Sequence, residues 1–414
     1  MARLLFRPTL AAVALVAATS WTVTSASQRA VVVTPQALRS PTGANSAQPQ
    51  LSVSSRGVLL SWIERTGDLA TLKFSARTAT GWSEARTVAS GRDWFVNWAD
   101  VPSVMHLPSG TIVAHWLQKS GPDTYAYDVR LSYSTDEGTT WAPSFIPHHD
   151  GTRTEHGFAS LFPIGDGLGL IWLDGRNMKP TAGHDDHGGG GAMTVHYARF
   201  DRHWKQVEES AVDARVCECC PTAATVTSEG VIAAFRDRSA NEIRDIYTSR
   251  LVNGKWSDPA AVHADGWNIA ACPVNGPALS ASGRHVAASW FTVKDDQGQA
   301  YLAFSSDAGR TYGAPIRVDD GGSLGRVDVA LVADGSAAIA TWIEFADQRS
   351  QFRVRRIDRS GARSAPVTIA GLAAGRASGY PRMALNGREL VFAWTESGAG
   401  GAMQVKTATA PLPQ

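Results

Sequence analysis

The stretch VLLSW at residues 58–62 decides the fold, because the chain repeats its pattern six more times. The copies read TIVAHW (111–116), GLGLIW (167–172), VIAAF (231–235), HVAASW (285–290), AAIATW (337–342) and LVFAW (390–394). Their closing aromatics are Trp62, Trp116, Trp172, Phe235, Trp290, Trp342 and Trp394, separated by 54, 56, 63, 55, 52 and 52 residues. Two positions after each stands a polar or acidic residue: Glu64, Gln118, Asp174, Asp237, Thr292, Glu344 and Glu396. Self-similarity at this period marks a repeat architecture. Short β units cannot bury both faces alone, so a ring of them points to an all-β chain, a β-propeller. Seven repeats predict seven blades of four-stranded antiparallel sheet. Six blades remain open if one unit lies outside the ring.

Working outward from each aromatic strand, a short extended run precedes it, as in QPQLSV (48–53) and YPRMAL (380–385). An alternating strand follows, as in DVRLSYS (128–134) and MQVKTA (403–408). Period-two alternation of apolar and polar residues is the strand signal. The seventh unit stops after MQVKTATA (403–410), one strand short. The extended segment AVVVTPQAL (30–38) is unassigned and is predicted to close the ring as that missing strand, which removes an open sheet edge.

The chain has 414 residues and a net charge of +1, with no basic stripe, which argues against a nucleic-acid partner. Arg3 and Arg7, the apolar run 10–18 and the small residues Ser25 and Ala26 read as a signal peptide over residues 1–26. The mature chain, 27–414, is then one propeller domain, periplasmic or secreted, with no membrane span left after cleavage. Disulfides are permitted in that setting.

Two turns carry a sharper signature. STDEGTTW (134–141) and SSDAGRTY (305–312) lie at equivalent points, between the third and fourth strands of their units. They resemble the Asp-box motifs of the sialidase (neuraminidase) superfamily and related BNR-repeat propellers. The resemblance spans nearly the whole chain as fold. It implies that functional residues gather on the opposite face, where loops from second to third strand and from fourth to next first strand meet. It further implies an exo-alpha-sialidase-like glycoside hydrolase, with a tyrosine nucleophile, a glutamate partner, an aspartate acid/base and carboxylate-binding arginines. Tyr380, opening the last unit, resembles the nucleophile, with Glu344 and Asp100 as the candidate acids. The superfamily's Arg-Ile-Pro motif at the first blade is absent; the comparable segments read AQPQL and ADVPS.

On that face the candidate ligand-binding residues are Arg176, Arg236, Arg238, Arg244, Asp174, Asp237, Trp94 and Trp98, with Arg326 and Arg382 as further guanidinium groups. Arginine binds carboxylates bidentately, and the aromatics stack on sugar rings, so the expected partner is a glycan or small anionic ligand. Mutually paired loop charges are the other reading of the same residues.

The cysteines complete the pattern. Cys217, Cys219 and Cys220 sit in VCECCPT and Cys272 in NIAACPVNG, just before the first strands of adjacent units. The four sulfurs are therefore expected together on the channel face. Two outcomes stay open: disulfides, or a soft-metal thiolate site for Cu or Zn. His184 and His187, in a Gly-rich loop of the preceding unit, are candidate further ligands of a mixed Cys/His site, with His148, His149 and His156 nearby in sequence. A non-catalytic metal-binding propeller or a protein-interaction scaffold is accordingly the alternative to a glycan-directed protein.

Overall fold

The computed structural model describes residues 33–178, 191–398 and 401–413. The signal-peptide segment, His184 and His187 lie outside the described residues. Among these residues, no helix is long and apolar enough to cross a membrane.

The chain forms seven antiparallel sheets, one per aromatic repeat. The first blade runs Ser46–Ser54, Gly57–Thr66, Leu69–Ala76 and Arg86–Gly91 in spatial order. The third, fifth and sixth follow the same meander. Two blades thin out at the rim. In the second, the fourth position is reduced to one bridge between Leu131 and Phe145. In the fourth, the outer strand breaks into Lys255–Trp256 and Ala260–Ala261. The seventh blade is completed as expected: Gln36–Leu38 pairs antiparallel with Met403–Pro411, Gln36 opposite Thr409 and Leu38 opposite Thr407. Val33, just before that strand, is buried in the same core as Phe392 and Leu412. The ring is thus latched by residues almost 370 positions apart, as in the bond from Thr407 Oγ1 to the Leu38 carbonyl at 2.9 Å.

The repeated aromatics are the core of each blade. Trp62, Trp172, Trp290, Trp342 and Phe235 are almost wholly buried. Burying such rings gives the largest apolar contribution per residue. The acid two positions on has a structural cause. In a strand, residues i and i+2 share a face, so the indole N–H reaches the following carboxylate. Trp62 Nε1 donates to Glu64 at 2.9 Å, Trp172 Nε1 to Asp174 at 2.8 Å and Trp342 Nε1 to Glu344 at 2.8 Å. Where Thr292 replaces the acid, Trp290 Nε1 donates instead to Asp265 at 2.7 Å.

The two signature turns are built around their aspartates. Asp136 Oδ1 accepts from the Thr139 and Thr140 amides at 3.1 and 2.9 Å, and Asp307 Oδ1 accepts from the Arg310 and Thr311 amides at 3.0 and 2.9 Å. These bonds hold the Asp136 carboxyl at about 2. Gly138 takes φ +80°, and a Cβ there would meet Phe74 of the preceding blade at 2.4 Å, so glycine is required. Trp141 then packs edge-on against Phe74.

The first strands of all seven blades line a central channel of about 560 Å³. They are stitched blade to blade: Ser52 Oγ donates to the Val104 carbonyl, Thr222 Oγ1 to the Phe158 carbonyl, and the Leu331 amide to Ser280 Oγ.

Candidate functional site at the channel mouth

The loop 217–220 enters the fourth blade and the segment around Cys272 enters the fifth, so both open onto one end of the channel. Cys217 Sγ lies 3.1 Å from Cys220 Sγ and 3.8 Å from Cys219 Sγ. The three sulfurs all fall within 4.8 Å of one another. Cys219 is in side-chain contact with Cys272, so the fourth thiol joins the cluster. None of the four is joined in a disulfide in this structure. Cys217 and Cys220 are buried.

A charged clamp holds this loop. Glu218, fully buried between the cysteines, is paired with Arg238 and, at 3.0 Å, with Arg244. Glu242 meets the same two guanidinium groups at 2.7 and 2.9 Å. Arg244 Nη1 also lies 3.3 Å from Cys217 Sγ. Burial alone would raise the Cys217 thiol. Hydrogen bonds from the Cys219 and Cys220 thiols and the Cys219 amide, with the Arg244 charge, outweigh it and hold Cys217 well below the usual thiol range. Burial pushes Cys219 and Cys220 up. The cluster therefore stabilises one thiolate that accepts from its neighbours.

Most of the arginines expected to meet a ligand are spent inside the protein. Arg236 is buried and donates to the main-chain carbonyls of Asn275, Arg244 and Phe291. Arg238 and Arg244 serve the Glu218 clamp. Arg176 is bound bidentately by Asp174 and also by Glu209 at 2.9 Å. Asp174 is buried under Trp172 and Arg176 and does not stand free at the rim. Asp237 is half-buried, and its carboxyl is raised to about 6 by burial and by Asp213. Trp94 stacks on Trp116 at 5.5 Å inside the core between the first two blades, which makes it a packing residue.

Tyr380 does lie at the mouth, stacked on Trp98 at 5.9 Å. Its hydroxyl donates to the Val274 carbonyl, and burial raises its phenol far above the ordinary range. Asp100 points elsewhere: Tyr127 Oη lies 3.2 Å from Asp100 Oδ2 and donates to Glu155 at 2.7 Å. Glu344 is held by Trp342 and by Arg353 at 2.8 Å in the sixth blade. Tyr380, Asp100 and Glu344 thus each have a separate set of hydrogen-bond partners.

Two arginines around Tyr380 behave differently. Arg326 spreads over Trp98 at 4.6 Å and over Tyr380 at 5.9 Å, and its Nη atoms donate to Ser378 and to the Gly379 and Gly375 carbonyls. Arg382 sits over Tyr380 at 5.4 Å, within electrostatic reach of Asp328. Among the described residues neither is in an ion pair. Sequence spacing alone does not separate these two from the clamped arginines: Asp174 and Glu242 pair with Arg176, Arg238 and Arg244 from two to four positions away, while Asp328, two positions after Arg326, forms no ion pair with it among the described residues.

No protein-family model matches the chain, and no curated protein does. Solved structures do. Polysaccharide lyase Uly1 superposes with a TM-score of 0.53 at 11% identity over 88% of this chain and 90% of that one. A PL25 ulvanlyase, solved bound to -[GlcA(1-4)Rha3S]-, gives 0.50 at 11% identity over 78% and 80%. A mutant of NanB sialidase from Streptococcus pneumoniae gives 0.45 at 10% identity over 89% and 93%. At such identities the likeness is one of fold: the chain is a seven-bladed β-propeller, and its function rests on its own residues.

Proposed function

We propose that this chain is an exported propeller that holds a soft cation, Cu(I) or Zn(II), on the thiolates of Cys217, Cys219, Cys220 and Cys272. The observation that carries this is the convergence of three sulfurs within 4.8 Å, with the fourth in contact with Cys219. A tetrahedral ion with bonds of about 2.3 Å sets its sulfurs about 3.8 Å apart, which this loop already approaches. Soft thiolates select these ions over hard ones. Arg244 and the thiol neighbours supply the deprotonated sulfur that coordination needs, and Glu218 anchors the loop so that the donors are arranged before metal arrives. When bound, the ion supplies a fixed Lewis-acidic charge beside the channel mouth.

The test is metal content with thiol counting. Protein made in the periplasm and purified anaerobically without chelator is expected to carry about one equivalent of Cu or Zn per chain. Cys217→Ser with Cys220→Ser is expected to carry none. Fully reduced wild-type protein that takes up neither ion overturns the proposal.

A second reading concerns the same mouth. Arg326 and Arg382 flank Tyr380 and Trp98, an arrangement that suits the carboxylate and ring of an anionic glycan. The PL25 ulvanlyase of like fold was solved with a uronate-containing saccharide, which supports this class of ligand. The role here is binding, because the Tyr380 phenol is tied to Val274. Calorimetry with uronate and sialate oligosaccharides checks it: Arg326→Ala is expected to lower affinity about tenfold or more. No binding by wild type to any of them rejects it.

A further inference from the structure

A hollow of about 300 Å³ opens at the seam where the ring closes, with walls from the first blade and from the start of the strand Met403–Pro411. We infer that this hollow is a second sugar subsite, so that the channel mouth takes an acidic oligosaccharide of two or more residues. One ring sits at Arg326 and Arg382, and the next sits in the hollow. This inference rests on the glycan reading of the mouth and is independent of the thiolate reading.

The sequence builds the hollow through a slip in strand register. Ala47 pairs with Ile63 and Gln50 with Ser61, so Gln48 and Pro49 together oppose the single residue Trp62. Two residues against one make a β-bulge, which re-aims side chains out of the strand's alternation. Gln48 takes φ +59°, a left-handed conformation uncommon for any residue but glycine or asparagine. It lines the hollow and is only 6% exposed. Its Nε2 donates to the Asn97 main-chain carbonyl. That bond fixes which way the amide points, because the flipped amide would set oxygen against oxygen. Oε1 is left buried without a hydrogen-bond partner. A buried acceptor in that state is costly until a donor reaches it.

The walls say what kind of donor fits. Ala47, Ile63, Val96 and Met403 are apolar, and Arg65 stands exposed at the rim. Among the described residues Arg65 is in no ion pair. A buried water needs two to four polar partners, which four apolar side chains do not give. A sugar ring suits the place better. Its C–H faces match the walls, a hydroxyl donates to Gln48 Oε1, and a carboxylate on the ring accepts from Arg65. The volume lies at the low end of the range for small-ligand pockets, about 300–1,000 Å³, and so suits a single ring.

The chain ties this hollow to the mouth. Val96 lines the hollow, Asn97 holds Gln48, and Trp98 stacks on Tyr380. Two residues of backbone span at most about 7 Å, so the two subsites are neighbours.

The experiment is calorimetry on the full mature chain at one ionic strength. The probes are galacturonate and α2,8-linked sialate, each as one, two and three sugars. The two-sugar ligand of the accepted series is expected to bind about tenfold or more tightly than its single sugar. Arg65→Ala, at an exposed position, is expected to abolish the difference between one sugar and two. Gln48→Asn is expected to do the same, since asparagine tolerates the left-handed backbone but withdraws the amide by one methylene. If single sugars bind and Arg326→Ala weakens them, the reading of the mouth stands. A gain with length that is then absent, or that survives either substitution in the folded variant, overturns the second subsite alone. No binding of any probe overturns both.

Discussion

Cys217 and Cys220 hold their sulfurs 3.1 Å apart, both buried, with the Arg244 guanidinium 3.3 Å from the first. The separation is too long for a covalent bond of about 2.05 Å and short enough for a shared proton or a shared ion. Hydrogen bonds from Cys219 and Cys220 lower the Cys217 thiol most, and the charge of Arg244, which also pairs with Glu218, adds to them. Loop anchoring and thiol ionisation thus share one arginine.

Breaking that anchor should be costly. Glu218→Ala leaves Arg238 and Arg244 short of a buried partner. It is expected to lower stability by about 3 kcal/mol, read as a fall in the denaturant midpoint. A midpoint within error of wild type would show that Glu242 alone satisfies both guanidinium groups.

The acids that follow the aromatics should behave as structural groups. Glu344→Ala removes the partner of a buried indole N–H and of Arg353. A loss on the order of 2 kcal/mol is expected, with metal content unchanged. Reduced metal or ligand binding without loss of stability would return Glu344 to the functional site.

The latch gives a third expectation. Deleting residues 33–40 strips the strand Gln36–Leu38 from the last blade and exposes an edge along Met403–Pro411. The melting temperature should fall sharply, and the variant should tend to self-associate. An unchanged melting temperature would mean that the ring closes without this strand.

Asp100 predicts a pH effect. Burial raises its carboxyl from 3.8 to about 7, against weaker lowering by the Phe158 amide and Tyr127. The folded state therefore binds this proton more tightly than the unfolded chain. Its stabilising contribution is full below about pH 4 and is lost as pH rises through about 7. Asp100→Asn should flatten that decline and make the protein more stable than wild type above about pH 7. A variant less stable than wild type at pH 8 would contradict this assignment.

The architecture is legible in the sequence because every blade must bury one large ring at the same register. That demand repeats at each of Trp62, Trp172, Trp290 and Trp342. The cysteine convergence is legible for a similar reason, since both loops precede first strands of adjacent blades. The acids after the aromatics mislead, because a strand puts positions two apart on one face and the indole takes the carboxylate. The arginines mislead for a different reason. Arg236 is spent on the Asn275 and Phe291 carbonyls of the next unit, and Arg244 on Glu218 and Glu242 of its own. His148 and His156 are close in sequence, yet Asp128 reaches them from a neighbouring blade, and only tertiary structure brings the three side chains together.

X-ray absorption at the copper or zinc edge, on anaerobically purified full-length protein, tests the thiolate site most directly. A shell dominated by sulfur at about 2.3 Å is expected, shrinking when Cys217→Ser and Cys220→Ser are introduced. A shell of nitrogen and oxygen alone, or a metal-free protein with its four cysteines oxidised to disulfides, would contradict it.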